Sequence, residues 1–449
     1  MHVEGFFPLV GSVCGEDNHP GMRKMIKEEE KSMILRISKW ACVAVFAALL
    51  TSCSAAPKGE TLGWIQWRGP NGNGTIVDPS FNPGFADNKG AILWKTVIDG
   101  GYSAVAVTDT RLYTLGGGKK NGKNTLSVYC LDPATGKPVW TQTFDVLRSY
   151  QWPGPRAMPL LTGGKLYVVG SGGETFCLNP ENGKKIWYRD ILTEEKLKDN
   201  TWGVSSTPVL ADGKLLLNIG GGIALNPENG KTIWKGPNVA NGYSSAVVCD
   251  KGGEKCVFFF VADNLVMLRL SDGKELARFP WRTSYDIAAA DPMVLPGQKV
   301  LISTSYRDIG CALLDFSGDG LKEVWSGKAI GSQFSSLIEH KGLVFGIDGD
   351  TNMRTRCALS CMDPMTGKIL WSEKTGSYGS LIKVNDTLVY LDEQGNLSAV
   401  EPVADGYRHG ASIRVFTTRN NGWVAPSYWK GRLYLRSNIG DLVCVKADK

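Results

Sequence analysis

The side chains that could do chemistry are few and scattered along the chain. The 449 residues contain four histidines, and two of them, His2 and His19, precede the predicted start of the protein. The eleven cysteines and a few acidic loops are the remaining candidates for redox, nucleophilic or metal chemistry. Their spacing forms no acid–base pair, nucleophile–base pair or metal cluster. Binding is therefore favoured over catalysis.

One acidic loop has the partial spacing of a calcium site. Asp315, Ser317 and Asp319 alternate as oxygen donors, and Gly320 follows at the sixth position. The twelfth position, where a calcium loop carries Glu, is Ser326. The loop also coincides with a predicted hairpin turn, so a variant turn is the competing interpretation. We expect no metal here, with these three oxygen donors as the calcium alternative.

The cysteines fall into two groups. Cys249 and Cys256 flank a predicted hairpin loop and could face each other across it, so an exported protein would permit a disulfide. Spacing alone does not fix the geometry that a disulfide requires. Four others occupy the same small-residue position of their repeats, where we expect buried apolar packing rather than metal binding; these are Cys130, Cys177, Cys361 and Cys444.

A third group of residues recurs where the chain crosses from one repeat to the next. Small residues such as Ser244 and Ser245 follow the large residue at these crossovers. In a closed ring of repeats the crossovers would gather on one face and form a funnel suited to a peptide strand, a glycan or a flat cofactor. The alternative is that the aromatic rings merely plug the channel. The candidate face comprises the crossover residues Tyr102, Arg156, Trp202, Tyr243, Tyr285, Phe334, Tyr378 and Trp423. Arg307 and Arg354, from the loops between second and third strands, would add anion selectivity on the same face, with solvated surface charges as the alternative.

The elements that must position these residues are short strands in a repeat. Tryptophan recurs at intervals of 44 to 47 residues, at Trp94, Trp140, Trp187, Trp234, Trp281, Trp325 and Trp371, with Phe416 next. A turn such as Asp132–Lys137 precedes most of them; its Asp bonds the backbone and its Gly closes a hairpin. Four short strands per repeat, without helical periodicity, indicate the blades of a β-propeller.

The two ends of the chain complete the ring. The first repeat has only the strand of Trp94, and the C-terminus supplies three strands between Val424 and Val445. Joining them leaves no free sheet edge. We predict an all-β, eight-bladed propeller of four-stranded antiparallel blades over residues 86–449, with seven blades as the alternative.

The N-terminal region is typical of export. Arg36 and Lys39 precede the apolar run 40–50, which predicts a secretory signal peptide over residues 33–52 and makes residues 1–32 a mis-called or dispensable extension. The run is short for a membrane span, which takes ~20 apolar residues. Residues 50–53, Leu-Thr-Ser-Cys, resemble the bacterial lipobox. That resemblance predicts lipidation of Cys53, with residues 53–85 as an anchored linker; the alternative is an ordinary signal peptide.

Composition limits the remaining function classes. Fifty-four glycines and 21% charged residues fit a turn-rich globular protein rather than a disordered or coiled-coil chain. The net charge of +6 is spread over the length without a Lys/Arg run, so we expect no nucleic-acid partner.

The turn and its tryptophan, as in Asp132–Trp140, resemble the tryptophan-docking motif of pyrroloquinoline-quinone (PQQ) type propellers. Residues 64–74 are similar to the Trp-Arg-Gly-Pro lead-in of bacterial PQQ-repeat lipoproteins. The resemblance covers about residues 90–449 and implies eight blades locked by their tryptophans. One branch of the family oxidises alcohols or sugars with PQQ and calcium. Another contains BamB, a lipoprotein scaffold of the outer-membrane β-barrel assembly machinery.

The resemblance favours the second branch. The chain has no adjacent cysteine pair, no Cys-x-x-Cys-His haem motif and no placeable calcium set. We therefore predict a non-catalytic scaffold resembling BamB without a cofactor, lipid-anchored in the cell envelope, with outer-membrane sorting facing the periplasm. Its partner would be an envelope protein or peptide, the barrel-assembly machinery being one candidate. A PQQ- and calcium-dependent oxidoreductase and a carbohydrate-binding propeller are the alternatives.

Overall fold

The computed structural model describes residues 62–88, 90–152, 154–306, 310–417 and 422–449. The predicted signal peptide, the extension before it and Cys53 lie outside this part of the chain. Helical structure among the described residues is confined to one turn of α-helix, α1 (Ile191–Glu194), and three 3-10 turns at Phe85–Asp87, Ser284–Asp286 and Arg354–Arg356. None of these helices has the length or apolar character needed to cross a membrane.

Eight antiparallel blades follow one another along the chain, which confirms the predicted eight-bladed propeller. Three short strands come first: β1 (Gly63–Trp64), β2 (Thr75–Ile76) and β3 (Ile92–Val97). Blade one is β4 (Ala106–Thr108), β5 (Leu112–Lys120), β6 (Lys123–Leu131) and β7 (Pro138–Val146). Blade two is β8 (Leu160–Thr162), β9 (Lys165–Val169), β10 (Glu174–Leu178) and β11 (Lys185–Asp190).

Blades three to five continue the same order from the inner to the outer strand. Blade three is β12 (Val209–Ala211), β13 (Lys214–Leu217), β14 (Ile223–Leu225) and β15 (Thr232–Lys235). Blade four is β16 (Val247–Lys251), β17 (Glu254–Phe260), β18 (Asn264–Arg269) and β19 (Glu275–Pro280). Blade five is β20 (Met293–Leu295), β21 (Lys299–Thr304), β22 (Gly310–Asp315) and β23 (Lys322–Gly327).

The last three blades complete the ring. Blade six is β24 (Ile338–His340), β25 (Leu343–Asp348), β26 (Ala358–Met362) and β27 (Ile369–Lys374). Blade seven is β28 (Gly379–Val384), β29 (Thr387–Asp392), β30 (Asn396–Glu401) and β31 (Arg408–Arg414). Blade eight is β32 (Ser427–Trp429), β33 (Arg432–Arg436), β34 (Asp441–Lys446) and the early strand β3.

Ring closure uses both ends of the described chain, as predicted. Strand β3 pairs antiparallel with β34, and Trp94 lies opposite Cys444. The same cross-strand pair recurs in other blades, for example Cys130 opposite Trp140. The four cysteines predicted to pack as small apolar residues are fully buried at Cys130, Cys177, Cys361 and Cys444.

Six tryptophans lock neighbouring blades together, at six of the eight blade interfaces. Each indole Nε1 donates to a backbone carbonyl in the turn between the third and fourth strands of the following blade. A Cβ on Gly136, whose φ is +69°, would lie only 2.5 Å from the ring of Trp94, so glycine is required where the ring packs. The bonds are Trp94 to Pro133 (3.1 Å), Trp140 to Pro180 (3.0 Å), Trp187 to Pro227 (2.9 Å), Trp234 to Leu270 (3.0 Å), Trp325 to Pro364 (3.0 Å) and Trp371 to Val403 (2.8 Å).

Two positions assigned by spacing do not dock. In blade four the residue at the tryptophan position of the register is Ala277, opposite Met267. Trp281 lies just beyond β19 and donates to Thr304 Oγ1 at 2.8 Å. The prediction of Trp281 as a docking residue was wrong, because the 47-residue interval leads to a tryptophan four residues beyond the docking position. Phe416 likewise follows the end of β31 and packs beside Gly395 of its own blade.

Candidate binding site

The crossovers and the loops between second and third strands enclose a cavity of about 500 Å³ on one face of the propeller. Nine aromatic side chains line this funnel cavity: Trp67, Tyr102, Trp152, Trp202, Tyr243, Tyr285, Tyr306, Phe334 and Trp423. Polar side chains without charge fill most of the remaining wall, among them Gln151, Ser205, Thr207, Ser245, Gln333, Thr351 and Asn352. The volume and mixed lining are typical of a site for a small ligand or a short segment.

The structure brings seven of the ten predicted funnel residues together in this cavity: Tyr102, Arg156, Trp202, Tyr243, Tyr285, Phe334 and Trp423. Tyr378 is fully buried behind Phe334, and its hydroxyl hydrogen-bonds the backbone amide of Ser335 at 2.8 Å. Tyr378 is therefore a packing residue rather than part of the face. Arg354 does not line the cavity, because it pairs with the buried carboxylate of Glu393 at 2.9 Å. Arg307 lies outside the described residues.

The rings touch in two groups on opposite walls. Tyr102 stacks on Trp423 with ring centroids 5.7 Å apart, and Phe334 lies 5.5 Å from the same indole. Trp202 contacts Tyr243 and Tyr285 at 5.8 Å and 6.2 Å. Ring-to-ring packing of this kind fixes the orientation of each side chain. The aromatic walls are thus held in place before any ligand arrives.

The floor of the cavity comes from the lead-in segment, residues 63–76, whose place in the structure the sequence did not predict. Strand β1 pairs with the inner edge of blade one and β2 with the inner edge of blade seven. Between them, Leu161 of blade two donates its amide to Ile65 O at 2.9 Å. Trp67 lines the cavity from below. The channel is therefore closed by the chain's own lead-in rather than by the funnel aromatics.

Asp291 anchors this floor. Its Oδ2 accepts from Trp67 Nε1 at 2.5 Å, and its Oδ1 accepts from the Ser245 amide at 2.8 Å. Burial raises the pKa of Asp291, while the nearby Arg68 guanidinium acts in the opposite direction. Arg68 is itself buried and donates to the carbonyls of Asn73 and Leu337. A buried carboxyl thus fixes the lead-in tryptophan.

Asp291 also belongs to a chain of bonds between innermost strands, which we call the inner ring. At each step a backbone amide two residues before an innermost strand donates to the side chain of its equivalent in the next blade. The bonds run from Met158 to Thr207 (3.0 Å), Thr207 to Ser245 (3.1 Å), Ser245 to Asp291 (2.8 Å) and Asp291 to Ser336 (3.0 Å). Asp291 is the carboxylate in a series of hydroxyls. A carboxylate at a position where the neighbouring blades carry hydroxyls is the sequence feature that could have identified Asp291.

Arg156 is the cation of the described cavity lining. Its guanidinium lies 5.4 Å from the centre of the Tyr102 ring and donates to Trp152 O at 2.8 Å. Burial lowers its pKa. These contacts already satisfy much of its hydrogen-bonding capacity, so it supports the aromatic wall.

The other candidate chemistry lies elsewhere. Cys249 and Cys256 stand directly opposite in the β16–β17 hairpin, as free thiols, both buried. Asp315 ends β22, where Lys299 Nζ pairs with it at 2.8 Å and the Ser317 amide caps it at 2.8 Å. That arrangement is a hairpin turn with an ion pair. Asp319 adds nothing to it, and the described residues contain no group of three or more acidic, histidine or cysteine side chains suited to a metal.

The cavity residues do not fit a quinone–calcium pair. Calcium requires six to eight oxygen ligands, whereas Asp291 is the carboxylate of the described lining and both of its oxygens accept hydrogen bonds from the protein. An anionic cofactor such as a quinone tricarboxylate would need several cations, and Arg156 is the one cation of the described lining. The described part of the cavity lining therefore holds no calcium ligand set.

Comparison with known proteins places the chain beside propellers of two kinds. The family model described as outer membrane protein assembly factor BamB matches residues 83–247 and 125–373, together more than half of the chain. BamB from Moraxella catarrhalis superposes with a TM-score of 0.58 at 14% identity, covering 79% of this chain and 97% of its own. No curated protein matches the sequence.

Dehydrogenases share the fold to a similar degree. The quinohemoprotein alcohol dehydrogenase of Comamonas testosteroni has a TM-score of 0.63 at 14% identity, over 86% of this chain and 81% of its own. A europium-containing methanol dehydrogenase gives 0.62 at 12%, over 84% and 89%. At these identities the superpositions establish the architecture alone.

Proposed function

Because the chain belongs to the family of PQQ-repeat β-propellers described as outer membrane protein assembly factor BamB, we propose that it is a non-catalytic scaffold of the bacterial cell envelope. The observation that carries the proposal is the funnel cavity. It gathers nine aromatic rings on one face, while its charged side chains, Arg156 and Asp291, already make hydrogen bonds within the protein. Such a surface can hold a partner without a group free to react.

The proposed partner is an envelope protein or peptide of the outer-membrane barrel-assembly type, docked on the rim of the funnel. Trp152 and Tyr285 line the rim and are 48% and 52% exposed. Exposed aromatic side chains that surround a concave site are typical anchors of protein interfaces. The rim therefore supplies the contact and the propeller supplies a rigid frame.

Crosslinking in intact bacteria followed by purification of the tagged full-length protein tests this role. We expect a barrel-assembly subunit to co-purify with the wild type, and the double variant Trp152→Ala/Tyr285→Ala to lose at least tenfold of it. Tyr188→Ala is the matched control, because Tyr188 is an exposed aromatic residue on the outer strand of blade two. Unchanged capture by the rim variant, or dye-linked alcohol oxidation with added PQQ and calcium, would refute the scaffold role.

Lipid anchoring is a separate part of the proposal. The lipobox-like residues 50–53 place an acylated Cys53 about ten residues before the lead-in that closes the channel. We expect Cys53→Ala to move the protein from the outer-membrane fraction to the soluble periplasmic fraction and to remove the mass of the lipid. A variant that stays membrane-bound with an unchanged mass would contradict lipidation.

A further inference from the structure

Contacts within the protein already use part of the backbone on the inner wall of the cavity. Strands β1 and β2 occupy the inner edges of blades one and seven. The inner-ring bonds use the backbone amides before the innermost strands of blades two to five. A peptide added as an extra strand needs such free amides. Recognition inside the cavity therefore falls to side chains.

Those side chains are aromatic faces and uncharged polar groups. Hydroxyls and carboxamides such as Ser205, Gln333 and Asn352 can each donate and accept hydrogen bonds. The two charged side chains of the described lining, Arg156 and Asp291, each make hydrogen bonds within the protein. A ligand that matches this wall is uncharged, carries many hydroxyl groups and has flat apolar faces for the rings.

Two polar atoms in the lining are left for such a ligand. Trp202 Nε1 and Ser205 Oγ are buried and have no hydrogen-bond partner among the described residues. Burying a donor without a partner is unfavourable, so this pair favours an occupant that accepts a hydrogen bond from the indole. The two residues lie in one crossover, next to the faces of Tyr243 and Tyr285.

A smaller cavity of about 260 Å³ adjoins the funnel and shares Gln151 and Trp152 with it. Glu174 lines this side cavity, 1% exposed, and one of its carboxyl oxygens has no partner. An oxygen of this kind accepts from a hydroxyl. The Trp152 ring thus lies between the funnel cavity, which offers hydrogen-bond donors, and the side cavity, which offers an acceptor.

We propose that the funnel cavity is a binding site for a neutral oligosaccharide. Sugar rings would stack on the faces of Trp67, Trp202 and Trp423, and their hydroxyls would bond Trp202 Nε1 and the uncharged polar wall. The lead-in closes the site from below through Trp67 and Asp291. The inference goes beyond the scaffold role, because a saccharide site would persist in the purified protein without any protein partner.

Tryptophan fluorescence and calorimetric titration of the mature protein test the proposal. The probes are neutral tetrasaccharides derived from cellulose, dextran, mannan, xylan and chitin. We expect at least one to bind saturably, and Trp202→Phe to bind it about fivefold to tenfold more weakly, because phenylalanine keeps a ring and loses the indole donor. Trp281→Phe is the matched control, since Trp281 lies outside the cavity lining.

Three results would overturn the site. One is the absence of binding by every tetrasaccharide at millimolar concentration. Another is equal affinity of Trp202→Phe and wild type, both folded by thermal melting. The third is tighter, Trp202-dependent binding of an unfolded outer-membrane strand peptide, which would make the cavity a peptide site. Failure of the barrel-assembly capture experiment would leave the saccharide titration unaffected, so the two proposals fail separately.

Discussion

The outer and inner rings of this propeller connect neighbouring blades by different chemistry. On the outside, six tryptophans repeat one contact, an indole donating to the carbonyl of the next turn. On the inside, a backbone amide donates to a side chain of the next blade, and this acceptor is a hydroxyl at three steps and the carboxylate of Asp291 at the remaining one. The difference shows that repetition serves cohesion of the ring, whereas the binding face is built where the repeat is broken.

The outer ring has its own exception, which sharpens the comparison. Ala277 takes the tryptophan position of blade four, and no atom lies within 4 Å of a Cβ built on Gly320 in the facing turn. Lys251 instead donates to Phe316 O at 2.7 Å, also across this interface. A lysine on the inner strand of blade four thus replaces the missing indole.

The largest effect is expected from removing a docking tryptophan. Trp234 is 6% exposed, and Trp234→Ala would lose its packing against Gly273 and the bond to Leu270, costing about 3–5 kcal/mol of unfolding free energy. Guanidinium denaturation provides the measurement. Trp281→Ala should cost clearly less, because Trp281 is not a docking residue. Equal losses would mean that docking contributes nothing beyond burying a large ring.

Blade four, which lacks the docking tryptophan, also holds the facing cysteine pair. Cys249 and Cys256 are directly opposite across β16 and β17, and the disulfide remains a prediction. Burial raises the pKa of the thiols to about 12 and about 11, so we expect slow oxidation, because the thiolate is the reactive form. Once formed, the bond should add about 2 kcal/mol. Mass spectrometry and melting of oxidised protein, against Cys249→Ser, provide the readout. A free-thiol count that persists under catalysed oxidation would exclude it.

The periodic part of the molecule could be predicted from the sequence, because a local turn motif and its tryptophan act over one blade interface at a time. Blade number, ring closure and the buried cysteines follow from that locality. Counting intervals failed at Trp281, since the register depends on the turn at Gly273 rather than on spacing. The turn residues therefore predict the position of the docking residue better than the tryptophan spacing does.

The binding face was predictable only in part. The predicted ring of crossovers correctly placed seven residues in one cavity. Phe334 and Tyr378 lie side by side, and the sequence did not indicate that Phe334 would line the cavity while Tyr378 would be buried. The lead-in was beyond prediction, because β1 and Trp67 bond to strands and to Asp291 that lie far away in sequence. Contacts of that range have no local pattern.

The smallest effect is expected at the inner ring, and it depends on pH. A carboxyl whose pKa is raised on folding adds stability at pH values below its ordinary pKa, and that stability is lost as the pH rises through the folded value. Asp291 is such a group, with Arg68 as the charge facing it from the lead-in. Asp291→Ser should therefore flatten the fall of stability with rising pH.

The same variant should also lose about 1 kcal/mol of unfolding free energy at pH values below the ordinary pKa of a carboxyl. The reason is that Trp67 Nε1 loses its acceptor, while a serine hydroxyl can still accept from the Ser245 amide. Denaturation between pH 4 and 8 reports the slope, with Thr207→Ala as an inner-ring control, because Thr207 accepts from Met158 and is not bonded to Asp291. A slope unchanged in Asp291→Ser would show that another group titrates, and the inner ring would then differ from the outer one in geometry alone.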